Sequence, residues 1–325
     1  MLPRLVRFVL LTLLTTWLVT AHAQPYPARP VRVVVPYAAG GLPDTMARLV
    51  AQRLTESLGQ QFVVDNRPGA GGIGACELVA HSAPDGYTLL VADTPQTAVN
   101  VWLYAKLPYD TLRDFAPLSI IGTSTQFLVA NASLPAANLN ELVSLARAKP
   151  GELRYGSSGI GSLQHLGMEA LKSALRLDIV HVPYKGNGQA VPAMLAGEVS
   201  LVFSAFPAIV QYMKAGRVRL LAVNTSKRSA YAPDVPTIAE LTGIADFDYP
   251  PLIGVLAPAR TPHGVISRVA DGIAAAVQHP ELKQRFSALA IDGVGSTPEA
   301  YAKQIRIDIE KYAKAVKAAN LRVDQ

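Results

Sequence analysis

Between Val31 and Leu58 the chain reads as strand, glycine loop, helix, a unit that belongs to open α/β sheets and to little else. Val33-Val34-Val35 is a short β-branched run, as a buried strand requires. Met46, Leu49, Val50, Leu54 and Leu58 then recur at the spacing of one helix face, and Gly59 supplies the stop. Between them Gly40-Gly41 permits close backbone approach, Pro43 suits a first helical position, and Asp44 falls in the first turn, where a carboxylate complements the helix dipole. Two readings stay open for this loop. It is either a nest of outward N–H groups that binds an anion, or a turn between strand and helix.

The first 23 residues have a different logic. Arg4 and Arg7 precede an apolar stretch from Phe8 to Val19, and Ala21-His22-Ala23 is a small-x-small cleavage site before Gln24. Residues 1–23 are therefore expected to be a secretory signal peptide, and the mature chain to be exported to the periplasm. Cys76 is the only cysteine of 325 residues, so no internal disulfide and no lipid anchor at the cleavage site is expected. The length favours two domains, and no linker, repeat or low-complexity tract separates them. Net charge is +6, or +4 without the two arginines of the leader, and the basic residues are scattered rather than clustered with aromatics. That pattern argues against a nucleic-acid site.

Further along, Gly69 to Gly74 matches G-x-G-x-x-G after the strand-like Phe62-Val63-Val64, and Asp93 closes the next strand, Tyr87 to Ala92. An exported dinucleotide-dependent oxidoreductase is thus one alternative, while glycines shaping a packed loop are the other. Thr94, Gln96 and Thr97 stand at the carboxyl end of that strand, where ligands bind in open α/β sheets. After strands at Leu118–Ile121 and Phe127–Val129 the chain is expected to cross into a second domain. There Gly156-Ser157-Ser158-Gly159-Ile160-Gly161-Ser162-Leu163-Gln164-His165-Leu166 runs into a helix placed at Gly167–Leu175, repeating the first loop's logic. Two such loops could face each other across a cleft. G-x-S-x-G is absent at both serine clusters and no acid orients His165, so Ser162 and His165 do not read as a hydrolase pair. Tyr184 and Lys185 follow the strand Asp178–Val182, and Ser204 ends the strand Leu201–Phe203. The six histidines are dispersed and no metal-ligand spacing is found. Neither metal nor cofactor is expected.

The stretches Pro36–Asp44, Asp65–Gly72, Ala83–Thr88, Leu107–Asp110, Asp114–Pro117, Ser157–His165, His181–Gly186, Lys227–Ser229, Pro233–Thr237 and Leu256–Pro258, taken in order, resemble the Bug family of periplasmic solute receptors of tripartite tricarboxylate transporters. Tyr26-Pro27-Ala28-Arg29-Pro30 extends the match to the mature N-terminus. The resemblance implies a type II periplasmic binding fold, an α/β fold of two lobes with a ligand cleft between them: 24–124 with 246–325 as lobe 1, and 125–245 as lobe 2. It implies a monomer without catalysis that binds a small organic acid and presents it to membrane permease subunits, or to a sensor kinase. Family ligands include dicarboxylates, amino acids and aromatic acids. Carried over by position, the family's site points to Tyr37, Gly40, Gly41 and Asp44 in the first loop and to Ser157, Ser158, Gly161, Ser162 and His165 in the second, with Tyr184 bordering.

Three positions depart from the family's pattern. Many relatives carry a hydroxyl where Leu42 stands, an acid where Ser204 stands, and an aromatic near the position of Leu252. Losing polar partners for a ligand's far end leads to the expectation of a monocarboxylate with an apolar or aromatic body.

Overall fold

The computed structural model describes residues 26–184, 186–244, 247–318 and 321. The expected leader and Lys185 lie outside them, as does the expected lobe boundary at residues 245 and 246. Two sheets carry the fold. The first runs β11-β4-β10-β3-β1-β2 and the second β7-β6-β8-β5-β9. The strands are β1 Val31–Val35, β2 Phe62–Asn66, β3 Thr88–Ala92, β4 Phe115–Ser124, β5 Gln126–Asn131, β6 Arg154–Ser157, β7 Val180–Pro183, β8 Leu201–Ala205, β9 Val218–Val223, β10 Leu252–Pro258 and β11 Ile291–Gly293.

Alternation along β1 decides how the first sheet is covered. Val31, Val33 and Val35 pack with Met46, Val50 and Leu54 of the Leu42–Leu58 helix, while Val34 faces Cys76, Val79 and Tyr301 on the other side. Both faces are thus dry, as parallel strands require. The long Pro298–Ala318 helix lies across β10, where Gly254 leaves the room that the Tyr301 ring fills. The second sheet divides in the same way. Leu128 and Ala130 face one core, Phe127 and Val129 the other.

Only Thr125 separates β4 in the first sheet from β5 in the second, so the chain changes sheets almost in line. Asn224, 2% exposed, ties this crossing to the return. Its Oδ1 accepts the Gln126 N–H at 3.0 Å and its Nδ2 donates to the Tyr249 carbonyl at 2.8 Å. Ser124 N–H donates to Pro251 O at 3.2 Å beside it. A third contact between the halves is apolar: Val99 and Leu103 meet Leu163, Leu166, Tyr312 and Val316.

The expected strands and helices are present with shifted ends. One shift matters for the site: the second-loop helix begins at Leu163 rather than Gly167, because Ser162 caps it by accepting the His165 N–H at 3.3 Å. A helix at Phe206–Lys214 and the edge strand β11 were not anticipated.

Candidate functional site

Between the sheets lies a cavity of about 1110 Å³. Tyr37, Gly71, Gly72, Asp93, Gln96, Asn100, Leu103 and Tyr104 line it from the first half, and Ser158, Ile160, Gly161, Ser162, Leu163 and Gln164 from the second. Asp93 is the only formally charged side chain among the described lining residues, and no Lys, Arg or His is among them.

The second half presents a helix end. Leu163 and Gln164 open the thirteen-residue helix Leu163–Leu175, so their N–H groups have no acceptor within it. These donors and the positive end of the dipole lie on the cavity wall, an arrangement suited to an anion. Ser158 Oγ donates to Gln164 Oε1 at 2.7 Å and holds that side chain against the loop. Gly161 has a φ of +76°, and a Cβ there would overlap Leu103 Cδ1 from the opposite half. Only glycine allows the halves to approach this closely here.

Behind the loop, Ser157 and His165 are buried and do not line the cavity. His165 Nδ1 accepts the Gly161 N–H at 3.1 Å, and its ring stacks on His181 with centroids 3.8 Å apart. Burial, together with the neighbouring imidazole, lowers His165 to about 4. Burial lowers His181 to about 4 as well, so both rings are neutral at pH 7. Ser157 Oγ lies 2.6 Å from His181 Nε2 and accepts the Gly159 N–H at 3.1 Å. This layer shapes the loop from beneath.

The first loop is arranged differently. Gly40 and Gly41 are exposed and, with Asp44, stand outside the cavity lining. Asp44 is 2% exposed; its Oδ2 accepts the Gly40 N–H at 2.8 Å and Arg48 Nε at 3.0 Å, and its Oδ1 accepts Asn66 Nδ2 at 2.8 Å. Burial pushes this carboxyl up, but the Arg48, Gly40 and Asn66 hydrogen bonds outweigh it and hold it below the usual range. The N–H of Gly40 that the nest reading left free is occupied by the chain's own carboxylate. Tyr37, by contrast, lines the cavity. Its hydroxyl lies 3.1 Å from Gln96 Nε2 and 3.5 Å from Asp93 Oδ2, and burial raises it well above an ordinary tyrosine.

Of the residues after β3, Gln96 reaches the cavity, while Thr94 and Thr97 are buried behind it. Thr94 Oγ1 accepts the Leu252 N–H at 3.2 Å, and Thr97 Oγ1 donates to the Asp93 carbonyl at 3.3 Å. Tyr184 packs beside Gly156 and reaches toward Glu198 at 3.4 Å, off the lining. Ser204 Oγ is fully buried without a partner among the described residues. Asn100 and Tyr104 were missed as cavity-lining residues, and Asp93 was singled out only as the acid of the dinucleotide alternative. Asn100 and Tyr104 follow Gln96 at steps of four, a helical spacing that was available to read.

The Gly69–Gly74 loop does not form a dinucleotide βαβ unit. The strands β2 and β3 flank β1 and do not pair with each other. Gly71 and Gly72 have φ of +64° and +82°, and a Cβ on Gly72 would lie 2.7 Å from Pro36 Cβ. Gln96 Nε2 and Asn100 Nδ2 donate to the Gly71 carbonyl at 3.0 and 3.1 Å, so the loop is a wall fitted to the cavity. Among the described residues no group of three His, Cys, Asp or Glu could hold a metal ion, and no helix is long and apolar enough to cross a membrane.

Two α/β lobes joined by adjacent crossings, with a cavity between them, define a periplasmic binding fold of type II. The chain belongs to the tripartite tricarboxylate transporter receptor family, the Bug receptors, whose pattern matches residues 46–321. Protein BugT of Bordetella pertussis is 37% identical over 296 residues, covering 91% of this chain and 90% of that one. Among solved structures, R. palustris Rpa4515 with adipate is 33% identical with a TM-score of 0.81, covering 92% of this chain and 100% of that one. MatC from Rhodopseudomonas palustris with bound malate is 30% identical with a TM-score of 0.77, covering 90% and 100%.

Proposed function

We propose that this protein is a periplasmic receptor that encloses a small organic carboxylate between its lobes and presents the closed form to membrane permease subunits of a tripartite tricarboxylate transporter. The observation that carries this reading is the N-terminus of the Leu163–Leu175 helix on the wall of an inter-lobe cavity lined by no cation among the described residues. Backbone N–H groups then hold the anion. Relatives solved with adipate and malate support the carboxylate class.

The lobes are residues 24–124 with 246–325, and 125–245; the membership of the two sheets supports this division. At about 1110 Å³ the cavity exceeds the ~300–1,000 Å³ typical of pockets that bury their ligands, so it must narrow on binding. A ligand that touches both walls favours the closed state by the contacts it gains there. Leu103, Ile160, Leu163 and Pro251 give the walls an apolar share, which suits an acid with an apolar body. The receptor acts as a monomer, and its first 23 residues direct export.

Native mass spectrometry of protein freshly isolated from the periplasm tests the reading. The expected result is a released organic acid, or, from protein that emerges empty, a thermal shift with at least one member of a broad carboxylate panel. A ligand at 100 times its dissociation constant adds about 2.7 kcal/mol. Stabilisation by nicotinamide cofactors and by no acid would overturn it. Tighter binding of citrate or aspartate than of any aliphatic or aromatic monocarboxylate would remove the apolar-body clause alone.

A further inference from the structure

Asp93 sits on the cavity wall opposite the helix end and has one weakly held oxygen. Its Oδ1 accepts the Thr94 N–H at 2.6 Å. Its Oδ2 has the Tyr37 hydroxyl at 3.5 Å, the outer limit of a hydrogen bond, and the carboxylate's other donor is the Leu252 N–H, which Thr94 Oγ1 also accepts at 3.2 Å. The proton of that hydroxyl has a nearer acceptor in Gln96 Oε1 at 3.2 Å, and Gln96 Nε2 donates to its oxygen at 3.1 Å. Gln96 is itself committed, because its Oε1 accepts the Asp93 N–H at 3.1 Å and its Nε2 also donates to Gly71 O. The network leaves Oδ2 with long or shared donors only.

Among the described residues no cation supplies one. The titratable groups whose charge couples to Asp93 are Tyr37 from the loop after β1 and Tyr301 and Tyr312 from the C-terminal helix. Of the remaining neighbours, the Leu252 N–H comes from β10. Burial, opposed by Thr94, Tyr37 and Leu252, pushes the Asp93 carboxyl up to about 7. A ligand can therefore tip it either way: a donor or cation favours the carboxylate, and a second anion favours the acid.

We infer that Asp93 selects the far end of the ligand, its weakly held Oδ2 accepting a hydrogen bond from a hydroxyl, amide or ammonium group carried opposite the carboxylate. This rests on the carboxylate-receptor reading and narrows it. The substrate class is a hydroxy-, amido- or amino-substituted organic acid. A simple dicarboxylate, whose second anion would face Asp93, binds only with uptake of a proton.

The test uses straight-chain acids of three to six carbons in four matched forms: unsubstituted, ω-hydroxy, ω-amino and α,ω-dicarboxylate. Calorimetry at about pH 8, above the Asp93 value, is expected to rank the hydroxy and amino acids about tenfold or more above the unsubstituted acid, with the dicarboxylate weakest. Asp93→Asn removes the preference for the amino acid and tightens the dicarboxylate about tenfold, because the amide can donate to it. An unchanged ranking in folded Asp93→Asn, with carboxylates still bound, overturns the assignment of Asp93 and leaves the receptor reading standing. Wild-type protein gives a second readout should the variant fail to fold. Dicarboxylate titrations in two buffers of different ionisation enthalpy should report uptake of a proton, and absence of uptake overturns the inference. Failure of every acid in the series to bind, while another member of the broad carboxylate panel still stabilises the protein, overturns this inference and leaves the receptor reading standing; failure of the whole panel overturns both.

Discussion

The two glycine-rich helix entries of this protein look alike in sequence and are hydrogen-bonded in opposite ways. At Gly40–Asp44 the chain brings its own anion: the Asp44 carboxylate takes the Gly40 N–H and is braced by Arg48 and Asn66. At Gly156–Leu166 the cap is a neutral hydroxyl, Ser162, and the N–H groups of Leu163 and Gln164 remain on the cavity wall. One loop is satisfied internally and the other awaits a partner. Helix termini attract anions in general, and what decides their use is whether a neighbouring side chain has already answered the demand.

The comparison can be broken at either loop. Asp44→Ala leaves Asn66 and the Gly40 N–H without their buried acceptor, and is expected to cost about 3 kcal/mol of stability while changing carboxylate affinity less than about threefold. Denaturant unfolding and calorimetry measure the two quantities, and a large affinity loss with unchanged stability would reverse the roles assigned to the loops. Gly161→Ala should do the converse. Its Cβ overlaps Leu103 across the cleft, so affinity falls about tenfold or more, whereas Gly40→Ala, with open space around it, costs only about 1 kcal/mol of backbone strain and spares binding.

The histidine layer sharpens the contrast through pH. His165 and His181 are held near 4 in the fold and titrate near 6.5 when unfolded. Between those values the unfolded chain binds more protons, so stability is complete above about 6.5 and is lost as pH falls toward 4. A proton on His165 Nδ1 also removes the acceptor of the Gly161 N–H. Tm should fall by several degrees from about pH 7 to pH 5, with Asp44 still ionised and the first loop intact. A flat Tm over that range would contradict the assignment. Ser162→Ala gives the smallest effect, about 1 kcal/mol of stability for the lost cap, measured by the same denaturant titration.

Much of the architecture was legible because its signals are local. The valine run of β1, the left-handed Gly59 that ends its helix, and the Pro298–Ala318 helix all follow from periodicity and caps. The site was less legible because its residues converge through tertiary geometry. Gln96, Asn100 and Leu103 reach the cleft from one helical face, through the π-type turn Pro95–Val99 and the turn after it, but their spacing alone does not say which face meets the second lobe. Asp44 shows the reverse failure. Its first-turn position marked it as a helix-end carboxylate, yet only the reach of Arg48 and Asn66 reveals how fully it is engaged within the loop. Lys185, the one cation expected near the site, lies outside the described residues.

The most direct test of this account is an amide NMR titration of the ¹⁵N-labelled protein with an acid that stabilises it. The account predicts the largest shifts at Ser158 to Gln164, with Gly40 to Asp44 nearly unmoved. Large shifts confined to Gly40–Asp44 would contradict it, because the anion would then be held at the loop that already carries its own carboxylate.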